Sequence, residues 1–244
     1  MAAPLLTSDS LFGGKLIVRQ EAKGYRFSLD AVLLAGLTGV RANDRVIELG
    51  TGSGVIPLVL AYRGTTRKRI TALEIQPALA ALARHNVEEN GFLEQIEIVE
   101  MDLREAASRF SPGSFDLVLS NPPYRRPGTG KINPQSQKAI ARHELAASIE
   151  DIFFAAAHLL PQGGRLALIY PASRAGNLLH AAEANRFSPK RLTVIYSRTG
   201  ETARLVHLEC RKAGGEELRI EPPFYIYGEN GRYSDAMREL YGPS

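Results

Sequence analysis

Arg45-Val46-Ile47-Glu48-Leu49 runs straight into Gly50-Thr51-Gly52-Ser53-Gly54, and an apolar stretch with helical spacing begins near Val55. A short apolar strand, a glycine-rich turn and a helix, in that order, restrict the chain to α/β folds in which a parallel strand feeds a helix on the sheet face. The glycines let the backbone turn tightly and let a ligand approach the helix N-terminus, so a nucleotide-like ligand belongs there. A P-loop is excluded because no Gly-Lys-Ser/Thr ending follows, and Val55 stands where a dinucleotide loop has its third glycine, which counts against a nicotinamide cofactor. Glu48, two residues ahead of Gly50, would repel a pyrophosphate but can attract the ammonium and sulfonium groups of S-adenosylmethionine.

Acids recur at the next strand ends. Arg69-Ile70-Thr71-Ala72-Leu73-Glu74 reads as a second strand, and its closing acid lies about 24 positions after Gly50, near the spacing of a ribose-binding carboxylate. Pro77 starts a helix at its favoured first-turn position and Asn90-Gly91 stops it. Ile96 to Met101 is a third strand, and Asp102 follows it as an acceptor for the cofactor's adenine amino group. Taken singly, each acid reads as a surface or capping group. At three successive strand ends beside a glycine loop, they read as one cofactor site. A further buried strand, Phe115 to Ser120, ends in Asn121-Pro122-Pro123-Tyr124. Asn121 is biased towards extended geometry by the proline after it, and neither Pro122 nor Pro123 has an N–H. The side-chain oxygen of Asn121 and the carbonyl of Pro122 can accept both hydrogens of one conjugated amino group, while Tyr124 offers a flat face to a planar base or amide. Alone, the tetrapeptide would be an ordinary Asn-Pro turn.

Around this core, Lys15 to Gln20 and Tyr25 to Phe27 flank Glu21-Ala22-Lys23-Gly24, which predicts a hairpin with Gly24 at the turn; the first dozen residues read as loosely held. Ser28 is an N-cap and Asp30 a first-turn acid of an amphipathic helix through Leu37. Arg19, Lys23 and Arg26, with Tyr25, give the hairpin a basic, phosphate-facing edge, and Arg125, Arg126 and Lys131 lie in the glycine-rich loop after Tyr124. His143, in the polar cluster Arg142-His143-Glu144, is a further candidate substrate contact. The balance of 30 Lys plus Arg against 26 Asp plus Glu, a formal charge of +4, permits a polyanionic partner without requiring one. Asp151 to Leu160 forms a helix stopped by Pro161-Gln162-Gly163-Gly164, Arg165 to Tyr170 a strand, and about Ala175 to Asn185 another helix. Arg191 to Tyr196 and Leu205 to Cys210 close the sheet as an antiparallel pair, and the tail, with Pro222 to Tyr227 and a short helix from Ser234 to Tyr241, is expected to pack back.

The 244 residues fit one domain: an N-terminal hairpin and helix at 1–40, a cofactor-binding core at 41–212 and a tail at 213–244. A single cysteine, Cys210, in an apolar strand pattern excludes an intrachain disulfide and a multi-thiolate zinc site, and the histidines show no metal-ligand spacing, so no metal is expected. Without a membrane-length apolar stretch or a signal-peptide pattern, the expectation is a cytoplasmic protein with no membrane and no obligate protein partner.

The acid-led glycine loop, the two later strand-end acids and Asn121-Pro122-Pro123-Tyr124 together resemble the class I methyltransferases that use S-adenosylmethionine, from about Val46 to Cys210. The resemblance implies a Rossmann-like α/β fold, with a mostly parallel seven-stranded sheet, a terminal antiparallel hairpin and helices on both faces. The flanks, Tyr25 to Leu34 and Pro222 to Tyr227 followed by Gly231-Arg232-Tyr233-Ser234, are similar to those of the bacterial valine-tRNA adenine-N6 methyltransferases, which modify the adenine 3′ of the anticodon. That likeness implies a tRNA partner. It implies that Glu48, Gly50, Gly52 and Gly54 hold the methionine part of S-adenosylmethionine, Glu74 the ribose and Asp102 the adenine, with Ser28 and Asp30 covering it, Asn121 touching cofactor and target, and Asn121 to Tyr124 holding the target amino group. The rivals are a release-factor glutamine-N5 methyltransferase, which usually carries a helical domain ahead of the core where fewer than fifty residues stand here, and adenine methylation of ribosomal RNA or DNA. A nucleic-acid-binding protein on an unreactive methyltransferase fold is opposed by the intact acids and glycines.

Overall fold

The computed structural model describes residues 6–22, 29–122 and 147–241. A hairpin of β1 (Leu6–Leu11) and β2 (Leu16–Glu21) precedes helix α1 (Leu29–Leu37). Strands and helices then alternate: β3 (Val46–Leu49), α2 (Val55–Tyr62), β4 (Ile70–Glu74), α3 (Pro77–Glu89), β5 (Ile96–Glu100), a 3-10 turn at Leu103–Glu105 leading into the short α4 (Ala106–Arg109), and β6 (Leu117–Ser120). After these come α5 (Ile149–Leu159), β7 (Arg165–Pro171), α6 (Ala175–Ala184), β8 (Phe187–Tyr196) and β9 (Leu205–Lys212). The tail adds β10 (Arg219–Ile220), β11 (Phe224–Tyr225) and α7 (Asp235–Tyr241).

The main sheet runs in the order β10-β8-β9-β7-β6-β3-β4-β5, with β11 also on β8. Strands β3 to β7 are parallel, and β9 is antiparallel to both β7 and β8. The expected seven strands are β3 to β9; the two-residue strands β10 and β11 extend the β8 edge to make nine in all, a pairing too short for any periodicity to announce. Every residue of β3, β4 and β6 is buried, as a central parallel strand covered on both faces requires. Alternation deals the side chains to two cores. Val46, Leu117, Leu119 and Ile169 pack with α1, α2 and the hairpin, and Ile47, Val118, Leu166 and Leu168 with α5 and α6.

A hairpin the sequence reading does not announce turns at Phe12-Gly13-Gly14-Lys15: residues 6–11, expected to be loosely held, form β1, with Leu6 opposite Glu21 and Leu11 opposite Leu16; the expected turn at Gly24 lies outside the described residues. Gly13 and Gly14 both have positive φ, +65° and +88°, and the Gly14 N–H donates to the Leu11 carbonyl at 3.2 Å. Both glycines adopt the left-handed conformation this turn needs. Lys23 to Ser28 lie outside the described residues.

The described part of the tail lies against the hairpin turn and α1. Tyr227 stacks on Tyr233 at 5.5 Å and Tyr233 on Tyr241 at 5.6 Å, while Phe12 at the hairpin turn meets Tyr241 and Tyr62 at 5.5 and 4.8 Å. Leu240 lies against α1 so closely that a Cβ at Gly36 would come within 2.3 Å of it. Burial of Cys210 pushes its thiol up to about 12, which makes it a packing residue. His207 is buried against the Thr38 hydroxyl at 3.0 Å and burial pushes it down to about 3, so it is a neutral core residue. Among the described residues no group of His, Cys, Asp and Glu could hold a metal, and no helix is long and apolar enough to cross a membrane.

Candidate active site

The strand order reverses between β3 and β6. Helices α2 and α3, which follow β3 and β4, cover one face, and α5, which follows β6, covers the other. A crevice therefore opens outside the carboxyl ends of β3 and β6, where ligands bind in open α/β sheets. Gly50 follows one strand and Asn121 the other. Ser120 binds the two ends together, its hydroxyl donating to the Leu49 carbonyl at 2.8 Å.

The glycine loop is anchored on β4: the N–H groups of Gly50 and Thr51 both donate to the Leu73 carbonyl, at 3.0 and 2.8 Å. Gly50 has φ +78°, and a Cβ there would meet nothing within 4 Å, so the backbone needs glycine and the space above it is open. Gly54, at φ +84°, is needed twice over, because a Cβ would also press Ala83 of α3 at 3.2 Å.

Glu48 is 1% exposed. The Thr51 hydroxyl donates to its Oε2 at 2.5 Å, and among the described residues no lysine or arginine pairs with it. Burial, reinforced by the nearby Glu74 and opposed by Thr51, pushes its carboxyl up to about 8. Glu74 is also buried, and its carboxyl is raised by that burial against the opposing pull of its backbone N–H donors. Its Oε2 accepts the Gly52 N–H at 2.8 Å and its Oε1 the Gln76 N–H at 2.9 Å. Ala31, Glu48, Gly50, Thr51, Ser53, Val55, Ile56 and Asn121 line one small cavity, so the glycine loop and the end of β6 share a site.

Other expected site residues stand differently. Both Asp102 oxygens are engaged by Arg104, whose Nε and Nη2 reach Oδ2 at 2.8 and 2.5 Å and whose backbone N–H reaches Oδ1 at 2.9 Å. Arg104 holds that carboxyl below the usual carboxylate range. Asp30 lies in the first turn of α1, next to Ala31 on the cavity wall. The Arg19 guanidinium lies on Glu89 of α3, with Nε at 3.0 Å and Nη2 at 2.5 Å. Ser28, Lys23, Arg26, Pro123, Tyr124, Arg125, Arg126, Lys131 and His143 lie outside the described residues; Pro122 is buried behind Asn121. Sequence reasoning missed Thr51, Arg104 and Asn86. A hydroxyl three residues after a strand-end acid, and asparagines at i, i+4 on a helix of mixed polarity, were the available signals.

A sheet of this order with its acids and glycine loop at the β3/β6 crevice defines a class I methyltransferase. An Agrobacterium tumefaciens protein described as a predicted O-methyltransferase shares the fold at a TM-score of 0.70, with 24% identity over 87% of this chain and 95% of that one. The chain belongs to the Methyltransferase small domain family, whose profile matches residues 28–175, and within it to the tRNA1(Val) (adenine(37)-N6)-methyltransferases. A relative of that name from Bacteroides thetaiotaomicron is 32% identical over 216 residues, 87% of this chain and 88% of its own length. Another, from Porphyromonas gingivalis, is 33% identical over 234 residues, 93% of this chain and 91% of its own length.

The protein is thus a methyltransferase, and S-adenosylmethionine is its cofactor. The residues present fit that molecule. A buried acid that no described lysine or arginine pairs with suits an ammonium group, a second acid suits vicinal hydroxyls, and the open space over Gly50 admits a ligand against the backbone.

Proposed function

We propose that this enzyme methylates the N6 amino group of adenine 37 of a valine tRNA, the base 3′ of the anticodon, the activity in its relatives' name. The observation that carries the reading is the position of Asn121: it follows β6 directly and lines the same cavity as Glu48 and the glycine loop, so an amino group held by Asn121 faces the cofactor pocket.

In this reading Glu48 holds the ammonium of the cofactor's methionine part, with Gly50, Gly52 and Gly54 against its backbone. Glu74 accepts the ribose hydroxyls on the lone pairs that Gly52 and Gln76 leave open. Asp102 reaches the adenine amino group by sharing itself with Arg104, and Ser28 and Asp30 cover the pocket. The bound cofactor supplies an electrophilic methyl group on a positively charged sulfur. The Asn121 side-chain oxygen and the Pro122 carbonyl accept the two amino hydrogens of the target base, Tyr124 stacks on the flipped base, and the amino nitrogen is drawn out of conjugation towards the cavity. Once methylated, that nitrogen is acidic, and its proton leaves to solvent. Lys23, Arg26, Arg125, Arg126, Lys131 and His143 meet the RNA, and Arg19 joins them by exchanging Glu89 for a phosphate. The reaction takes place in the cytoplasm.

The test is Asn121→Ala with methyl-labelled cofactor and unmodified tRNA, digested to nucleosides. Labelled N6-methyladenosine should form about 100-fold more slowly, or worse, while affinity for S-adenosylhomocysteine changes little. Equal losses in turnover and affinity count against the role of Asn121, and label on release factors, ribosomal RNA or DNA in place of tRNA counts against the substrate.

A further inference from the structure

Asn86 is 0% exposed within α3 and belongs to no role described so far. Its Oδ1 accepts the Arg19 N–H at 2.8 Å. Its Nδ2 donates both to the Arg19 carbonyl at 3.0 Å and to the Ser53 carbonyl at 2.9 Å. One turn further on, the Oδ1 of Asn90 accepts the Ile17 N–H at 2.9 Å, and its Nδ2 donates to the Ile17 carbonyl at 2.7 Å. Two asparagines at i, i+4 therefore act as a surrogate strand along β2, satisfying backbone groups that the edge of a two-stranded hairpin would leave open. They differ in one respect. Asn90 holds the hairpin and the carbonyl of Asn86 in its own helix; Asn86 also holds the glycine loop at Ser53, a wall of the cavity.

Asparagine meets this need because one planar amide offers an acceptor and two donors, matching three backbone partners. Aspartate would keep the acceptor and lose both donors, leaving the Ser53 carbonyl without its partner.

We propose that Asn86 is a positioning residue that makes the hairpin and the glycine loop one mechanical unit, so that the docking of β2 sets the geometry of the cofactor pocket. The proposal rests on the assignment of that loop to the cofactor. It also makes the edge carrying Arg19 continuous with the pocket through a single side chain.

Amide hydrogen exchange of the full chain, with and without S-adenosylhomocysteine, tests it in the wild type, Asn86→Asp and Asn90→Ala. Without ligand, N90A should speed exchange in β2 alone, whereas N86D should speed it about tenfold in both β2 and the glycine loop, at Gly52 and Gly54. Affinity for S-adenosylhomocysteine should fall about tenfold in N86D and less than about twofold in N90A, and the ligand should slow β2 exchange in the wild type but not in N86D. Should N86D fail to fold, Asn86→Ser, too short to reach both sides, replaces it with the same expectations. Unchanged loop exchange and affinity in the Asn86 variant, or equal effects in N90A, would overturn the proposal. A wild type that does not bind S-adenosylhomocysteine would sink the cofactor assignment, and the ligand-free exchange would still decide for or against Asn86.

Discussion

The acids at the amino ends of the strands and those at the carboxyl ends of β3 and β4 are treated in opposite ways, while Asp102 past the end of β5 has Arg104. At the amino ends each acid has its own arginine: Asp44 pairs with Arg165 at the start of β7, Asp116 with Arg45 at 2.9 Å, and Glu209, a little further in, with Arg191 at 3.1 Å. At the carboxyl ends of β3 and β4, Glu48 and Glu74 are buried and, among the described residues, meet the Thr51 hydroxyl, backbone N–H groups and the Gln76 side chain, with no lysine or arginine. Charge at the amino ends is closed within the protein and serves the fold. At the ends of β3 and β4 no cation among the described residues closes the pair, and burial favours the protonated form of the Glu48 carboxyl.

The largest expected effect lies at the amino ends. Asp44→Asn leaves Arg165, whose side chain is 11% exposed, without its counter-ion, and should cost roughly 3–5 kcal/mol of unfolding free energy by denaturant titration. The same variant should bind S-adenosylhomocysteine within about twofold of the wild type, and a large affinity loss would erase the distinction between the two ends. Glu48→Gln should behave inversely, losing about 1.5–3 kcal/mol of binding, a factor of about 10 to 160, with no loss of ligand-free stability. Its pH dependence carries the same signature. The Glu48 carboxyl is raised from 4.5 to about 8 in the fold, so the native state holds a proton that the unfolded state has lost, and wild-type stability falls as pH rises across that window. In E48Q that component of the slope should vanish. Smallest of all, Arg45→Ala removes a pair whose side chains are 47% and 36% exposed, and should cost less than about 1 kcal/mol and leave ligand affinity unchanged.

The fold was legible where local pattern and burial agree. The apolar runs of β3, β4 and β6, the glycine turn and the acids at the strand ends are each written within a few residues, and the structure gathers Glu48, Gly50 and Asn121 around one cavity. The β1–β2 hairpin was missed because the Gly13-Gly14 turn sits in a stretch with little apolar patterning of its own, while Leu16 and Val18 show their core role only once packed. The engagement of Asp102 by Arg104 depends on a side-chain rotamer, which spacing does not encode. Asn86 was invisible for a different reason: its partners Arg19 and Ser53 lie 67 and 33 residues away along the chain, so its role exists only once the hairpin is folded onto α3.

The central claim, that Glu48 waits for a positive ligand, is tested most directly by titration calorimetry of S-adenosylhomocysteine, which retains the ammonium group, at pH 7 in two buffers of different ionisation enthalpy. With the carboxyl raised to about 8 in the ligand-free protein, binding should release most of a proton, and that release should be largely lost in E48Q. Binding without proton release in the wild type, or the same release in E48Q, would contradict it.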